Sequence, residues 1–212
     1  MRPTELIPAR PVLWPLRRAE SAKVSLKHSG SRVVVTIEHA PLAGVTPEML
    51  AWWYGHVPGN MRYAGTTYPR YLVWHPLDHI SYEVVRPGPG PAVGPGTELH
   101  IVEALGRNLD HLIDIRVTVE DVSESGAVIV KRILGSSAVR LENLYAADFD
   151  GARYVSRMRL GDDTLAGRLL LNLVARRRAF PPEKLTAWTR HHIEEIGNLE
   201  NFLPALFRDQ TR

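Results

Sequence analysis

The chain contains no cysteine. Disulfides and thiolate metal sites are therefore excluded. Any metal must sit on histidine and carboxylate, a donor set that suits zinc or another divalent first-row ion. Long apolar runs are also missing, so no stretch reads as a membrane-spanning helix. Residues 1–16 are too broken by proline for a signal peptide. A cytoplasmic location without a membrane partner is the expectation. Neither sign of charge dominates: 26 Lys and Arg against 23 Asp and Glu leave a net charge of +3. The one tight basic cluster, Arg176-Arg177-Arg178, has no recognition motif beside it and reads as the solvated end of a helix. Nucleic acid is not an expected partner.

What is present suits an ordinary folded domain. At 212 residues the chain can bury a real core, as one large domain or two small ones. Residues 1–22 are proline-rich and lack any period, which predicts an extended arm laid on the body or on a partner subunit, and a homodimer is allowed for. Residues 23–212 are expected to form a single domain. Val33 to Glu38 is a strand by its β-branched content. Thr46-Pro47-Glu48 marks a helix start, with the threonine as N-cap and the proline in the first turn. Strands are predicted at 81–85, 97–105, 114–121, 127–134, 137–145 and 153–160. The first two flank a Pro/Gly-rich insert, residues 86–96, which reads as a hairpin connection, either a plain surface loop or a lid. The chain closes with helical regions at 166–178 and 182–203, separated by Pro181-Pro182. A long terminal helix against a curved antiparallel sheet is an α+β pattern.

The chemistry concentrates in Arg190-His191-His192-Ile193-Glu194-Glu195-Ile196-Gly197-Asn198. Residues four apart share a helix face, so His191 and Glu195 are neighbours that could bite one metal ion from a rigid element. The competing reading is a polar i,i+4 pair on a solvated face. Two other stretches bear on the choice. Folding the chain about residues 91 and 92 sets residue i roughly opposite residue 183 minus i. His79 then faces Ala104, beside Glu103, and one register step makes His79 and Glu103 near neighbours. A helix laid across that hairpin would add His191 and Glu195. His75 competes with His79 as the first ligand.

Three blocks resemble a known family. They are Gly44-Val45-Thr46-Pro47-Glu48-Met49-Leu50-Ala51-Trp52-Trp53, Tyr71-Leu72-Val73-Trp74-His75-Pro76-Leu77-Asp78-His79-Ile80, and His191-His192-Ile193-Glu194-Glu195-Ile196-Gly197-Asn198-Leu199-Glu200 with the Asn201-Phe202-Leu203-Pro204 that follows. In that order they are similar to the diacetylphloroglucinol hydrolases, which include phloretin hydrolase. The resemblance implies a helix-grip fold like that of the birch-pollen allergens. It also implies Zn2+ held by two histidines and two glutamates, and hydrolysis of the carbon–carbon bond between an acyl group and a phenolic ring. Carried over by motif, the ligands are His79, Glu103, His191 and Glu195. A family tyrosine that contacts substrate lies eight residues before the first ligand, as Tyr71 does before His79, and this spacing favours His79 over His75.

The chain departs from the pattern in two ways. It is shorter, and it has no histidine between His111 and His191, where the family carries a catalytic one. Asn143 or Tyr145 stands near that place, and Tyr154 is the candidate for a second substrate-binding tyrosine. The implied substrate is a small aromatic ketone or related β-dicarbonyl, cleaved by a zinc-dependent, reverse-Claisen-type route. Tyr71 would orient the phenol, Glu194 or a site histidine would handle protons, and Trp52, Trp53, Trp74 and Trp188 would roof an apolar cavity. The rival reading is a helix-grip protein that binds an aromatic or polyketide-like molecule without chemistry. A related cyclase or decarboxylase is a third.

Overall fold

The computed structural model describes residues 5–29, 32–133, 135–162 and 180–211. The helix expected at 166–178 and the arginine cluster lie outside these residues. Nine strands form one sheet: β1 (Lys23–Ser29), β2 (Arg32–Glu38), β3 (Leu42–Ala43), β6 (His79–Arg86), β7 (Glu98–Ala104), β8 (Leu112–Ser123), β9 (Gly126–Ile133), β10 (Ser136–Asp148) and β11 (Gly151–Leu160). Their order is β1-β2-β11-β10-β9-β8-β7-β6, with β3 added at the end of β11, and each pairing is antiparallel. A separate hairpin joins β4 (Asn60–Tyr63) to β5 (Thr66–Pro69). Three helices complete the described fold: α1 (Pro47–His56), α2 (Arg70–Trp74) and α3 (Pro182–Thr211).

Most of these elements follow from local chemistry. The Thr46 hydroxyl accepts from the Met49 N–H at 3.2 Å, satisfying one of the free donors that open α1. Along β8, Ile113, Ile115, Val117 and Val119 share one face, as a two-residue period requires. The helix α3 has 30 residues, about 45 Å at 1.5 Å per residue, and continues through Pro204 rather than stopping at Leu203. Its buried apolar residues serve two packed clusters. Trp188 and Ile193 join Val35, Ile37, Met158 and Leu160 in one. Ile196, Leu199, Phe202 and Leu203 join Leu50, Trp53, Trp74 and Tyr154 in the other. Between them in sequence come His191, His192, Glu194 and Glu195, and all four are buried. A solvated i,i+4 pair is not what the helix presents there.

The N-terminal arm runs over the body of its own chain. The Arg10 N–H donates to the Pro76 carbonyl, and the Tyr63 hydroxyl bridges the Pro11 carbonyl and the Leu13 N–H. Arg17 then crosses α3 at Gly197 and pairs with Glu200 at 2.5 Å. A methyl group on residue 197 would lie 2.2 Å from the Arg17 Cδ, so the crossing needs glycine. The 86–96 insert docks through Val93, whose N–H donates to the Gly55 carbonyl at the end of α1. Val93 also packs on Val117, which lines the cavity described below, although no residue of 86–96 is itself in that lining.

Candidate metal centre

Four side chains from three elements converge. His79 opens β6, Glu103 lies opposite it on β7, and His191 and Glu195 stand one turn apart on α3. The His79 Nε2 is 3.4 Å from Glu195 Oε2 and 3.7 Å from Glu103 Oε1. The His191 Nε2 is 3.7 Å from Glu103 Oε2 and 3.9 Å from Glu195 Oε2. Donor atoms bound 2.0–2.1 Å from a tetrahedral ion stand about 3.4 Å apart, so the spacing is that of a cage slightly relaxed.

The hydrogen bonds set both imidazoles for ligation. His79 Nδ1 lies 2.6 Å from the Tyr71 carbonyl, which can only accept, so this nitrogen carries the proton and Nε2 presents its lone pair. His191 Nδ1 lies 3.0 Å from Asp78 Oδ2. Asp78 is fixed in turn by the Gly106 and Arg107 N–H groups at 2.8 and 3.1 Å. Both Nε2 atoms are buried and make no hydrogen bond. Leaving two such atoms unpaired costs roughly 1–3 kcal/mol each. A divalent cation bound to both nitrogens and to the two carboxylates would remove that cost, and the residues present fit such an ion.

Surrounding groups hold the ligands in place. The Tyr71 hydroxyl donates to Glu103 Oε1 at 2.5 Å, and its ring stacks on His79 with centroids 3.8 Å apart. Burial, with Glu103 beside it, pushes the Tyr71 phenol well above its ordinary range. The Trp74 indole donates to the Glu195 carbonyl, while the Asn198 amide donates to the carbonyls of Val73 and Trp74. Asn198 thereby satisfies two acceptors left open at the end of α2 and locks that helix to α3. Burial opposes the charge on Glu195, yet His192, His79 and His191 hold its carboxyl well below the usual range.

His75 is not in the cage. Its Nδ1 accepts from the Asp78 N–H at 3.1 Å and its Nε2 donates to Glu194 at 3.1 Å, so both nitrogens are used. Burial, reinforced by the neighbouring His191, lowers its pKa. His75, Asp78 and His191 also form a close buried trio, but with His75 satisfied their geometry serves to orient His191.

Sequence reading placed Glu194 in the reaction, and the structure sets it on another side of α3. Its carboxylate takes His75 and, at 2.8 Å, Arg190. Tyr154 lies in the core with its hydroxyl bonded to Tyr54, not against the cavity. Asn143 does reach the site, 3.3 Å from His192 Nε2, whereas the Tyr145 hydroxyl turns to the Ser123 carbonyl. Sequence reasoning missed a buried chain of polar groups. The His192 Nδ1 contacts Glu195 Oε1, His192 Nε2 is 2.8 Å from the Ser156 hydroxyl, and that hydroxyl is 2.9 Å from His39. The one signal available was that Asn143 and Ser156 fall at matching places in adjacent strands, where they pair.

Beside the cage lies a small cavity of about 80 Å³, open at its mouth. Its described wall is mainly Ile, Val and Leu from β7 to β10, with Met158, Phe180 and Trp188, and its polar groups are Glu103, Glu195, His192 and Lys131. Trp188 stacks on His192 with centroids 4.8 Å apart. The other expected tryptophans are elsewhere. Trp53 and Trp74 pack edge-on in the core, and Trp52 stacks on His56.

A curved antiparallel sheet gripping a long C-terminal helix, with a buried cluster that could hold a metal at the side of an apolar cavity, defines a helix-grip protein. The chain belongs to the DAPG hydrolase PhiG domain family, whose model matches residues 25–208. Among solved structures it is similar to Ara h 8.0201 (15% identity, 81% of this chain and 99% of that one, TM-score 0.48). It is also similar to protein EF2215 from Enterococcus faecalis (7% identity, 89% and 90%, TM-score 0.48) and to protein Ms6760 from Mycobacterium smegmatis (14% identity, 89% and 99%, TM-score 0.44). No curated protein matches. Among the described residues, no helix is long and apolar enough to cross a membrane.

Proposed function

We propose that this protein is a zinc-dependent hydrolase that cleaves the carbon–carbon bond between an acyl group and a phenolic ring. Family membership supports hydrolysis. The observation that carries the finer reading is the pair of buried, unpaired Nε2 atoms of His79 and His191 facing Glu103 and Glu195 at an apolar cavity. These four residues would hold the ion. Bound there, zinc supplies a Lewis acid that brings the pKa of water down to about 7 and polarises a ketone carbonyl.

The rest of the work falls to the protein. The Ile, Val and Leu wall with Phe180 and Trp188 excludes water and takes the flat ring, leaving the acyl group toward the carboxylates. Tyr71 holds Glu103 in its ligand position rather than reaching freely for a phenol. Water adds its oxygen to the acyl carbon, the bond to the ring carbon breaks, and the ring carbon takes a proton, giving a carboxylic acid and the deacylated phenol. His192 is the imidazole on the cavity wall and its Nδ1 contacts Glu195, which also lines the cavity, so the His192–Glu195 pair is assigned to carry that proton. Glu194 has no such access.

The test is to load the purified protein with zinc, supply a monoacylphloroglucinol, and look for phloroglucinol and the free acid in equal amounts. Saturable binding without product would favour the non-catalytic carrier instead.

A further inference from the structure

The inner and outer faces of the sheet treat charge differently. On the outer face, Glu120 takes Arg132 and Arg140, and Glu142 takes Arg140, Arg157 and Arg159. Lys131 precedes Arg132 on β9 and therefore points to the opposite face, beside Ile129. There it lines the apolar cavity, and no described carboxylate pairs with it. It is the cavity's one cationic side chain among the described residues apart from the titratable His192.

Lys131 is partly exposed, so its ammonium stands at the open side of an apolar cavity with no described carboxylate paired to it, a position suited to receiving an anion. Its position suits a ligand as well. Lys131 stands opposite Val139, and Asn143, which contacts His192, lies four residues further along β10. Four residues of strand span about 13 Å, so Lys131 and the Asn143–His192 contact stand toward opposite ends of the cavity. A phenol is neutral at pH 7 with a pKa near 10, whereas a carboxylate is charged.

We infer that the cavity takes an aromatic acyl compound bearing a carboxylate on the side remote from the acyl group, and that Lys131 holds that carboxylate. This rests on the cavity being the substrate site of the proposed hydrolase, so the test reads binding in the metal-free protein, independently of turnover. Quenching of tryptophan fluorescence would be titrated with 4-acetylbenzoic acid and with its methyl ester. The wild type should bind the acid at least about tenfold more tightly than the ester, the size expected of one charge-assisted hydrogen bond. Lys131→Met should remove that preference while keeping the ester affinity, and Lys131→Arg should retain it. Equal binding of the two ligands by the wild type, a preference that survives in Lys131→Met, or no binding of either would overturn the assignment. A preference that holds while the zinc-loaded protein hydrolyses no aryl ketone would leave Lys131 its role and remove the hydrolase reading alone.

Discussion

His79 and Glu103 are direct cross-strand partners, and a single bulged residue, Ile80, makes them so. From Ser81 to Val84 the hairpin keeps the register in which paired residue numbers sum to 183. Carried to its end, that register would set His79 against Ala104. Ile80 is the extra residue on β6, and it brings His79 back by one position onto Glu103. The bulge aims an imidazole and a carboxylate at the same point. Deleting Ile80 would remove the bulge but seat His79 directly before Ser81, still opposite Glu103, so zinc binding should be kept while the kink in β6 is lost, as measured by zinc titration alongside far-UV circular dichroism.

The two candidate first ligands are separated by their hydrogen bonds. His79→Ala removes a free Nε2 from the cage and should lower zinc affinity by orders of magnitude. His75→Ala removes a side chain whose two nitrogens are already engaged. It should cost stability, about 1–3 kcal/mol for the partners it strands, and keep zinc binding within a few fold. Calorimetric zinc titration of both variants checks this, and loss confined to His75→Ala would reverse the assignment.

Asp78 acts one step back from the cage. Its contact with His191 Nδ1 sets the tautomer and the ring plane, and hydrogen bonds from Gly106 and Arg107 fix it. Burial opposes its charge, but His191, His75 and the Gly106 N–H hold its carboxyl down at about 2. Asp78→Asn should fold and bind zinc about 10–100-fold more weakly, the usual cost of losing such a partner.

Metal-free protein should lose stability as the pH rises from 6.5 to 9. Burial alone would lower the His191 pKa, yet Asp78, Glu103 and Glu195 raise it to about 9. A raised folded-state pKa means stability that is fully present below the unfolded value, 6.5, and lost through the folded one. The contribution is on the order of 3 kcal/mol. Zinc must displace that proton, so its affinity should climb over the same interval. Thermal melts with and without chelator at pH 6.5 and 9 show it, and a flat chelated profile would contradict it.

The legible parts of the chain were those with a period. The 3.6-residue repeat around His191 and Glu195 marks the helix face, and β-branched alternation marks β2 and β8 to β11. What was not legible has local causes. β1 is an edge strand whose Val24 and Leu26 are about half exposed, so its alternation lacks a buried side to betray it. The β4–β5 hairpin turns at Ala64-Gly65, both with positive φ, without the Asn-Gly or Asp-Gly that usually marks such a turn. His39, Ser156 and His192 meet from three elements with no spacing relation, so only the fold shows their contact. Lys131 reads in sequence as one more surface lysine, and its inward direction follows only from the strand register.

The sharpest test separates two adjacent glutamates on α3. Glu195 directs one oxygen at the His79 and His191 nitrogens and the other at His192, inside the cage. Glu194 meets His75 and Arg190 on another side of the helix. A neutral amide is a poor ligand for a hard divalent cation, so Glu195→Gln should lose most zinc affinity and all metal-dependent turnover. Glu194→Gln loses two charge-assisted contacts, one of them to an exposed arginine that is worth little. Its melting temperature should drop by a few degrees, with zinc content and turnover unchanged. The contrast extends to His192→Asn, which should keep zinc, because His192 is outside the cage, and lose turnover, because the cavity's proton carrier is gone. Zinc content and product formation measured side by side on the three variants decide it. Equal zinc binding by Glu195→Gln and Glu194→Gln would remove the cage, and full turnover in His192→Asn would remove the proton assignment alone.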